Sequence, residues 1–285
     1  MTKTAIIADS VACITKEHAE RYKIAMVPIT ILFDGEVYRD CIDLSATQAY
    51  EFLDRAPQFW KSSAASPEDY LKAYRELSEY GQDILVVTVS SKLSMQYESA
   101  GIAKEIAKEE LPQTRIEVLD SETAAAAEGL IVLEAARAAQ GKTFDEVIAI
   151  ANRVKERVRL YVLLETIRHV HRTGRIPKFA SQMGSMLSIK PILTSSNGLI
   201  HMATATRTKQ SGVEKILHIM RNHVGSSKPV HIAVMHADSL EEAEKLKEEI
   251  ATEFDCAELF ITDFSPVIGY ATGRGTLGLA YYESF

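Results

Sequence analysis

Ser90, Ser91 and Ser94 fall in one short turn, between the β-branched run Ile84–Val89 and an amphipathic segment that reads as a helix. A strand that enters a helix through a polar turn is where open α/β sheets bind ligands. Phosphate-binding turns of this kind are rich in glycine, and this one has none, so its donors are hydroxyls. Two Asp-Ser pairs, Asp9-Ser10 and Asp120-Ser121, close other strand-like runs. They either cap the segments that follow, where Asp and Ser are favoured for backbone reasons alone, or they carry a reaction. Ser62-Ser63 is open to the same two readings.

Context resolves several other motifs into structure. Gly273-Arg274-Gly275-Thr276-Leu277-Gly278 matches the dinucleotide fingerprint letter by letter, but that fingerprint opens a helix inside a βαβ unit of about 30 residues. Here the chain ends at Phe285, after the strand-like LGLAYYE. Gly141-Lys142-Thr143 lacks the earlier glycine of a P-loop, whose place is taken by Ala136. It reads as a helix C-cap followed by the capping box Thr143–Glu146. His169 and His171 stand among Arg168, Arg172, Arg175 and Lys178. Those cations would repel a metal, so the segment reads as a basic patch facing solvent or a partner. No GxSxG, HExxH or Ser/His/Asp spacing points to a hydrolase.

The elements that must position these residues follow from periodicity. Strand patterns cover Thr4–Ala8, Ile24–Phe33, Ile84–Val89 and Arg115–Leu119, with helical patterns between them. Thr15, the box Ser45–Gln48 and Ser66-Pro67-Glu68-Asp69 mark helix starts, and Glu122–Gln140 reads as a helix rich in small residues. The alternation predicts a mainly parallel sheet flanked by helices over residues 1–157. From residue 158 the texture changes. Arg159–Leu164, Ile189–Leu193, Leu199–Thr206, His231–His236 and Glu258–Asp263 read as strands, with a hairpin signal at Ser195–Gly198 and a charged helix at Leu240–Phe254. A second, mixed α/β domain over 158–285 is expected. At 285 residues the chain is long enough for two cores.

Composition excludes several classes. The formal charge of -7 argues against a broad nucleic-acid or anionic-membrane surface. Cys13, Cys41 and Cys256 are far apart and form no CxxC, so they read as reduced thiols of a cytoplasmic protein. The start MTKTAIIADS is not a signal peptide, and no apolar run reaches the ~20 residues needed to span a bilayer. No metal or cofactor is expected.

Seven stretches, in order along nearly the whole chain, resemble the DegV family of bacterial fatty-acid-binding proteins. IIADSVACIT is similar to the family's opening Asp-Ser strand, SSAASPEDY to its TSQPSP segment and VSSKLSMQYESA to its ISSxLSGTYxSA turn. VLDSETAAAAEG is similar to its second Asp-Ser, HRTGRI to its GGRI, SIKPIL to its IKPIL and SPVIGYATGRGTLG to its PVIGxHxGPGALG. The resemblance implies two α/β domains clasping a long-chain fatty acid, with its carboxylate near the serine turn. It also implies a carrier, not an enzyme, that presents the acid to a separate ATP-dependent fatty-acid kinase for phospholipid synthesis.

Matched motif to motif, Ser62 stands for the family's carboxylate-binding Thr, Ser94 keeps its Ser, and Met95 supplies the next backbone N–H. Hydroxyls at a helix N-terminus suit a carboxylate, which needs only two or three donors. The family's His falls on Ala271 and its Pro on Arg274. Arg274 either presents its guanidinium to the carboxylate in compensation or points to solvent. The basic segment at Arg172 and Arg175 is expected to dock the kinase or to touch a membrane surface transiently. Each hydrogen bond to the carboxylate contributes roughly 1.5–3 kcal/mol, against ~12 kcal/mol gross for burying about fifteen methylenes. The alternatives are a phosphotransfer enzyme or hydrolase using Asp9 or Asp120, and a sensor of a related amphiphile.

Overall fold

In the computed structural model, residues 4–55, 60–79, 83–175, 188–225 and 228–285 are described. The runs TAIIAD and DILVVT become strands β1 (Thr4–Asp9) and β6 (Asp83–Thr88), each buried along its whole length. With β2 (Ala25–Val27) and β7 (Ile116–Asp120) they form a parallel sheet in the order β2-β1-β6-β7. Strand alternation divides their side chains between two helical layers. Ala5, Ile7, Ile84 and Val86 pack with helices α3 (Pro67–Ser78) and α4 (Gln96–Glu110). Ile6, Ala8, Leu85 and Val87 pack with α5 (Ala126–Ala138).

Helix α5 has no solvent face over its first two turns, since every residue from Ala126 to Leu133 is buried. A helix apolar on all sides must be enclosed on all sides. Its far side meets a six-stranded sheet in the order β10-β9-β8-β13-β11-β12. These strands are β8 (Arg159–Leu163), β9 (Lys190–Ser196), β10 (Leu199–Thr206), β11 (Val230–His236), β12 (Cys256–Asp263) and β13 (Leu277–Glu283). Leu160, Val162, Leu193, Ala233, Met235 and Ala280 join the α5 core from this sheet. Helix α6 (Phe144–Arg157) adds Val147, Ala151 and Val154 to it. Helices α8 (Lys209–His223) and α9 (Leu240–Glu253) cover the opposite face through Ile216, Leu217, Met220 and Leu246. Only β11 and β12 run parallel; the other pairings are antiparallel. Helix α1 (Lys16–Tyr22) follows a 3-10 turn, Ser10–Ala12, that leaves the end of β1.

The α/β architecture and the mainly parallel first sheet match expectation, and the capping boxes at Ser66–Asp69 and Thr143–Glu146 form as read. The hairpin signal is also realised. Asn197 and Gly198 both take positive φ, 50° and 78°, between β9 and β10, the backbone that matches strand twist. Two differences have physical reasons. The run Ile24–Phe33 is not one strand: it breaks around Pro28, which has no N–H to give a ladder, into β2 and β3 (Thr30–Phe33) of a different sheet. Strand β3 joins β4 (Glu36–Arg39) and β5 (Trp60–Ser63) in a small antiparallel sheet, β4-β3-β5. That sheet packs on α2 (Ala46–Arg55) and α10 (Pro266–Thr272), near the chain's end. The helix expected from Glu122 starts only at Ala126, because Glu122 and Ala125 sit at φ 54° and 56°.

Two glycines inside helices give opposite forecasts. A Cβ at Gly129 of α5 would lie 2.4 Å from the Ala12 carbonyl oxygen of the 3-10 turn, whereas one at Gly101 of α4 would meet nothing within 4 Å. Helix propensity favours alanine at both by about 1 kcal/mol. We expect Gly101→Ala to raise Tm and Gly129→Ala to lower it by several degrees. Thermal unfolding of the two variants side by side checks this, and two rises would mean that the close approach of α5 is slack.

Candidate functional site

Three strand ends converge where the parallel sheet faces the six-stranded sheet, and an aspartate pins each neighbourhood. Asp9, at the end of β1, is fully buried and accepts N–H bonds from Val11 at 2.9 Å and Val89 at 2.8 Å. Asp40 accepts from the Ser10 hydroxyl at 2.6 Å and from the Val267 amide at 3.2 Å, tying β1 to the start of α10. Asp120, ending β7, accepts from the Ser91 hydroxyl at 2.5 Å and the Glu122 amide at 2.9 Å. Burial raises the Asp9 and Asp40 carboxyls to about 7, with the hydrogen bonds opposing that shift. These aspartates shape loops, as the capping reading of the Asp-Ser pairs holds.

The three serines of the β6–α4 turn divide in the same way. Ser90 is fully buried, donates to the Gly198 carbonyl at 2.7 Å, and so ties this turn to the β9–β10 hairpin. Lys92 reinforces that link by donating to the Asn197 carbonyl at 2.7 Å. Ser91 is held by Asp120. Ser94 alone of the three lines a cavity of about 440 Å³, within the range of small-molecule pockets, ~300–1,000 Å³.

The walls of that cavity come from both halves of the chain. Val11, Val89, Ala124 and Ala125 belong to turns of the parallel sheet, and Leu160, Val162, Leu193 and Ile200 to the six-stranded sheet. Phe264, Val267, Ile268 and Tyr270 close it from α10 and the segment before it. Hydroxyls gather where β5 meets the β6–α4 turn. In β5, the register Ile31↔Ser62 and Phe33↔Trp60 puts Ser62 on the same sheet face as Trp60, turned to the interior. Ser62 and Ser94 both line the cavity, and neither hydroxyl makes a hydrogen bond to another described residue. Gln96 holds the two segments in place, its Oε1 accepting from the Ala65 amide at 2.8 Å.

Each remaining residue singled out by sequence has a definite place. Met95 occupies the N-cap of α4 with no side-chain cap bond, and its side chain is 61% exposed, outside the cavity lining. Its amide stays at the helix N-terminus, where donors lack intrahelical partners. Arg274 is not at the cavity. Its guanidinium is paired with Asp54 at 2.9 Å and with Asp238, and lies 5.1 Å from the Tyr50 ring centroid. Arg175, expected on a docking surface, lines the cavity and donates to the Thr173 carbonyl at 2.7 Å and the Leu93 carbonyl at 3.4 Å. The Arg172 and His171 side chains and Lys178 lie outside the described residues. Ala271, in the place of the family's His, lines the cavity.

Sequence reasoning passed over Arg175 as a cavity residue, along with Trp60 and the inner faces of β8 and β10. The alternating inward set Leu160 and Val162 was visible as a strand pattern, but which cavity it faced was not. Among the described residues, no group of three or more His, Cys, Asp or Glu has the geometry to hold a metal ion. Nor is any described helix long and apolar enough to cross a membrane.

Fold and site together define an α/β protein with an apolar cavity between two sheets, bounded on one side by hydroxyls. A family model described as "Uncharacterised protein, DegV family" matches residues 3–284, and the chain belongs to the DegV family. A DegV domain-containing protein of Clostridium perfringens is 31% identical over 277 residues, 97% of each chain. The structure of DegV from Bacillus subtilis, described as a fatty acid binding protein, superposes with a TM-score of 0.90 at 28% identity over 100% of both chains. A Ruminococcus gnavus member solved with vaccenic acid is 25% identical, with a TM-score of 0.87, covering 97% of this chain and 99% of that one.

Because its guanidinium is committed to Asp54 and Asp238, Arg274→Ala should leave ligand affinity within about twofold. Its effect on stability should be about 1 kcal/mol or less, as for a solvent-accessible ion pair. Isothermal titration with a fatty acid, together with thermal unfolding, measures both. A tenfold loss of affinity would return Arg274 to the head group.

Proposed function

We propose that this protein binds a long-chain fatty acid in the cavity between its two sheets and presents it to a separate ATP-dependent fatty-acid kinase. The observation that carries this reading is the meeting of two uncommitted serine hydroxyls, Ser62 and Ser94, at one apolar cavity although they lie on different elements. The carboxylate is held by these hydroxyls and the Met95 amide, with Arg175 as counter-charge. Residues 1–157 and 158–285 act as two domains that clasp the chain. Kinship with DegV proteins described as fatty-acid binders supports the ligand class.

An enzyme using Asp9 or Asp120 is less favoured. The oxygens of both carboxylates already accept hydrogen bonds from backbone amides or Ser91, so neither is poised as base or nucleophile. The Gly273–Gly278 motif supports no nucleotide site either. Gly273 and Gly275 sit at φ 83° and 78° in a turn that leads into a strand. Activation of the acid therefore requires a nucleotide bound elsewhere, which fits a carrier.

The ligand's tail supplies most of the affinity and the serines its orientation. Ser94→Ala and Ser62→Ala should each weaken fatty-acid binding about tenfold, the loss of one hydrogen bond to a charged group. Shortening the acid by two methylenes should cost a similar factor at about 0.8 kcal/mol each. Native mass spectrometry for copurifying acid, followed by titration of the delipidated protein with an acid and its matching alcohol, tests the reading. Absence of fatty-acid binding, or serine variants that bind as tightly as wild type, would remove it.

A further inference from the structure

Glu128 is fully buried on the first turn of α5, and no N–H or hydroxyl donor among the described residues reaches either of its carboxyl oxygens. The side chain that bears on it most is that of another acid, Asp9, near enough for one carboxyl to reach the other. Two carboxylates cannot bond without a proton between them, and two buried like charges in contact would repel strongly. Asp9 accepts two amide N–H bonds, from Val11 and Val89, which favour its ionised form; Glu128 accepts none. The proton therefore belongs to Glu128, whose O–H donates to Asp9.

Val11 and Val89, whose amides Asp9 holds, both line the cavity. We propose that Glu128 is a positioning residue that remains a neutral acid at physiological pH, its proton completing the bonding of Asp9 and so setting the cavity wall at Val11 and Val89. Among the described residues, the charged and titratable groups that bear on the pair are not cations. Asp120 and Asp40 bear on it from the ends of β7 and β4, Cys13 from the turn after β1, and Tyr70 from α3. Burial and the Asp9 charge hold the Glu128 carboxyl well above the usual carboxylate range.

The sign of the pH effect follows. Above the ordinary glutamate range of ~4.3 the unfolded chain has lost this proton and the folded protein keeps it, so stability falls as pH rises. One extra bound proton corresponds to a slope of about 3 °C in Tm per pH unit. Glu128→Gln keeps a donor toward Asp9 but cannot ionise. Its Tm should be near that of wild type at pH 5 and several degrees higher at pH 8; parallel Tm–pH curves would overturn the proposal. In wild type, NMR of protein labelled with ¹³C at glutamate carboxyls should show a Glu128 signal still protonated at pH 7, and an ionised signal would overturn the assignment without any variant.

The positioning role rests on the fatty-acid reading above and has its own readout. At pH 7, Glu128→Gln should retain the affinity for a fluorescent fatty acid within about twofold, while Glu128→Leu, which has no donor, should lose about tenfold. Equal affinity in Leu and Gln variants would sink the positioning role. If wild type binds no fatty acid, the fatty-acid reading fails, while the NMR and Tm measurements still decide the protonation.

Discussion

Strand ends that open onto a cavity face a shortage of hydrogen-bond partners. Where β1, β6 and β7 stop, their following amides leave the ladder, and water cannot reach those that are buried. Unpaired buried amides cost about as much as a lost hydrogen bond each. Asp9 supplies acceptors for Val11 and Val89 after β1 and β6, Asp120 for Glu122 after β7 and Asp40 for Val267 at the start of α10, and each bridges segments far apart in sequence: Val11 with Val89, Ser10 with Val267, Ser91 with Glu122. These bonds fix the turns from which part of the cavity wall is built, Val11 and Val89 among them. The same oxygens are engaged in these bonds, so the features that first suggested chemistry account for loop structure.

The second constraint is α5. A helix buried on both sides serves two sheets at once, and its small residues permit the spacing. Gly129 approaches the Ala12 carbonyl, and Ala126 donates its amide toward the Met235 sulfur at 3.3 Å. The two halves of the chain are thereby joined through one apolar cluster that contains Ile6 and Leu85 from one sheet and Ala233 and Ala280 from the other. The β9–β10 hairpin adds a polar tie through Ser90, Lys92 and the Thr123–Ser195 contact at 2.9 Å. The cavity sits beside this tie, Thr194 of β9 and Ala124 after Thr123 both lining it.

How much of this could be read in advance depended on how local each signal is. Caps, the Asn197-Gly198 turn and the buried strands β1 and β6 are encoded within a few residues, and they were legible. The small sheet was not. Strand β4 reads EVYR and is mostly exposed, and β5 reads WKSS, so neither carries an apolar alternation. They become strands only because β3 pairs with both. Strand β13 ends the chain yet lies between β8 and β11, a placement set by long-range pairing that no local period contains. Of the cavity lining, Ser62 and Ser94 were reached only through the family resemblance, whereas the destinations of Arg175 and Arg274 depend on partners distant in sequence.

Those two arginines show why charge at such a site must be read from geometry. Arg274 was the natural substitute for an imidazole missing at Ala271, being only three residues away. Its neighbours Asp54 and Asp238 satisfy it first, and a guanidinium already paired with two carboxylates has little left to offer a third. Among the described residues Arg175 donates to the neutral carbonyls of Thr173 and Leu93 and pairs with no carboxylate. An imidazole has not left the region altogether, since His169 packs against Gly273, two residues beyond Ala271. The cavity thus has hydroxyls on one side with the start of α4 beside them, while the arginine that lines it comes from the segment after α7 (Arg168–Arg172) and not from the C-terminal loop. On the proposed reading, this puts the counter-charge on an exposed stretch that also lines the cavity, so that a partner reaching the carboxylate there would meet Arg175 as well.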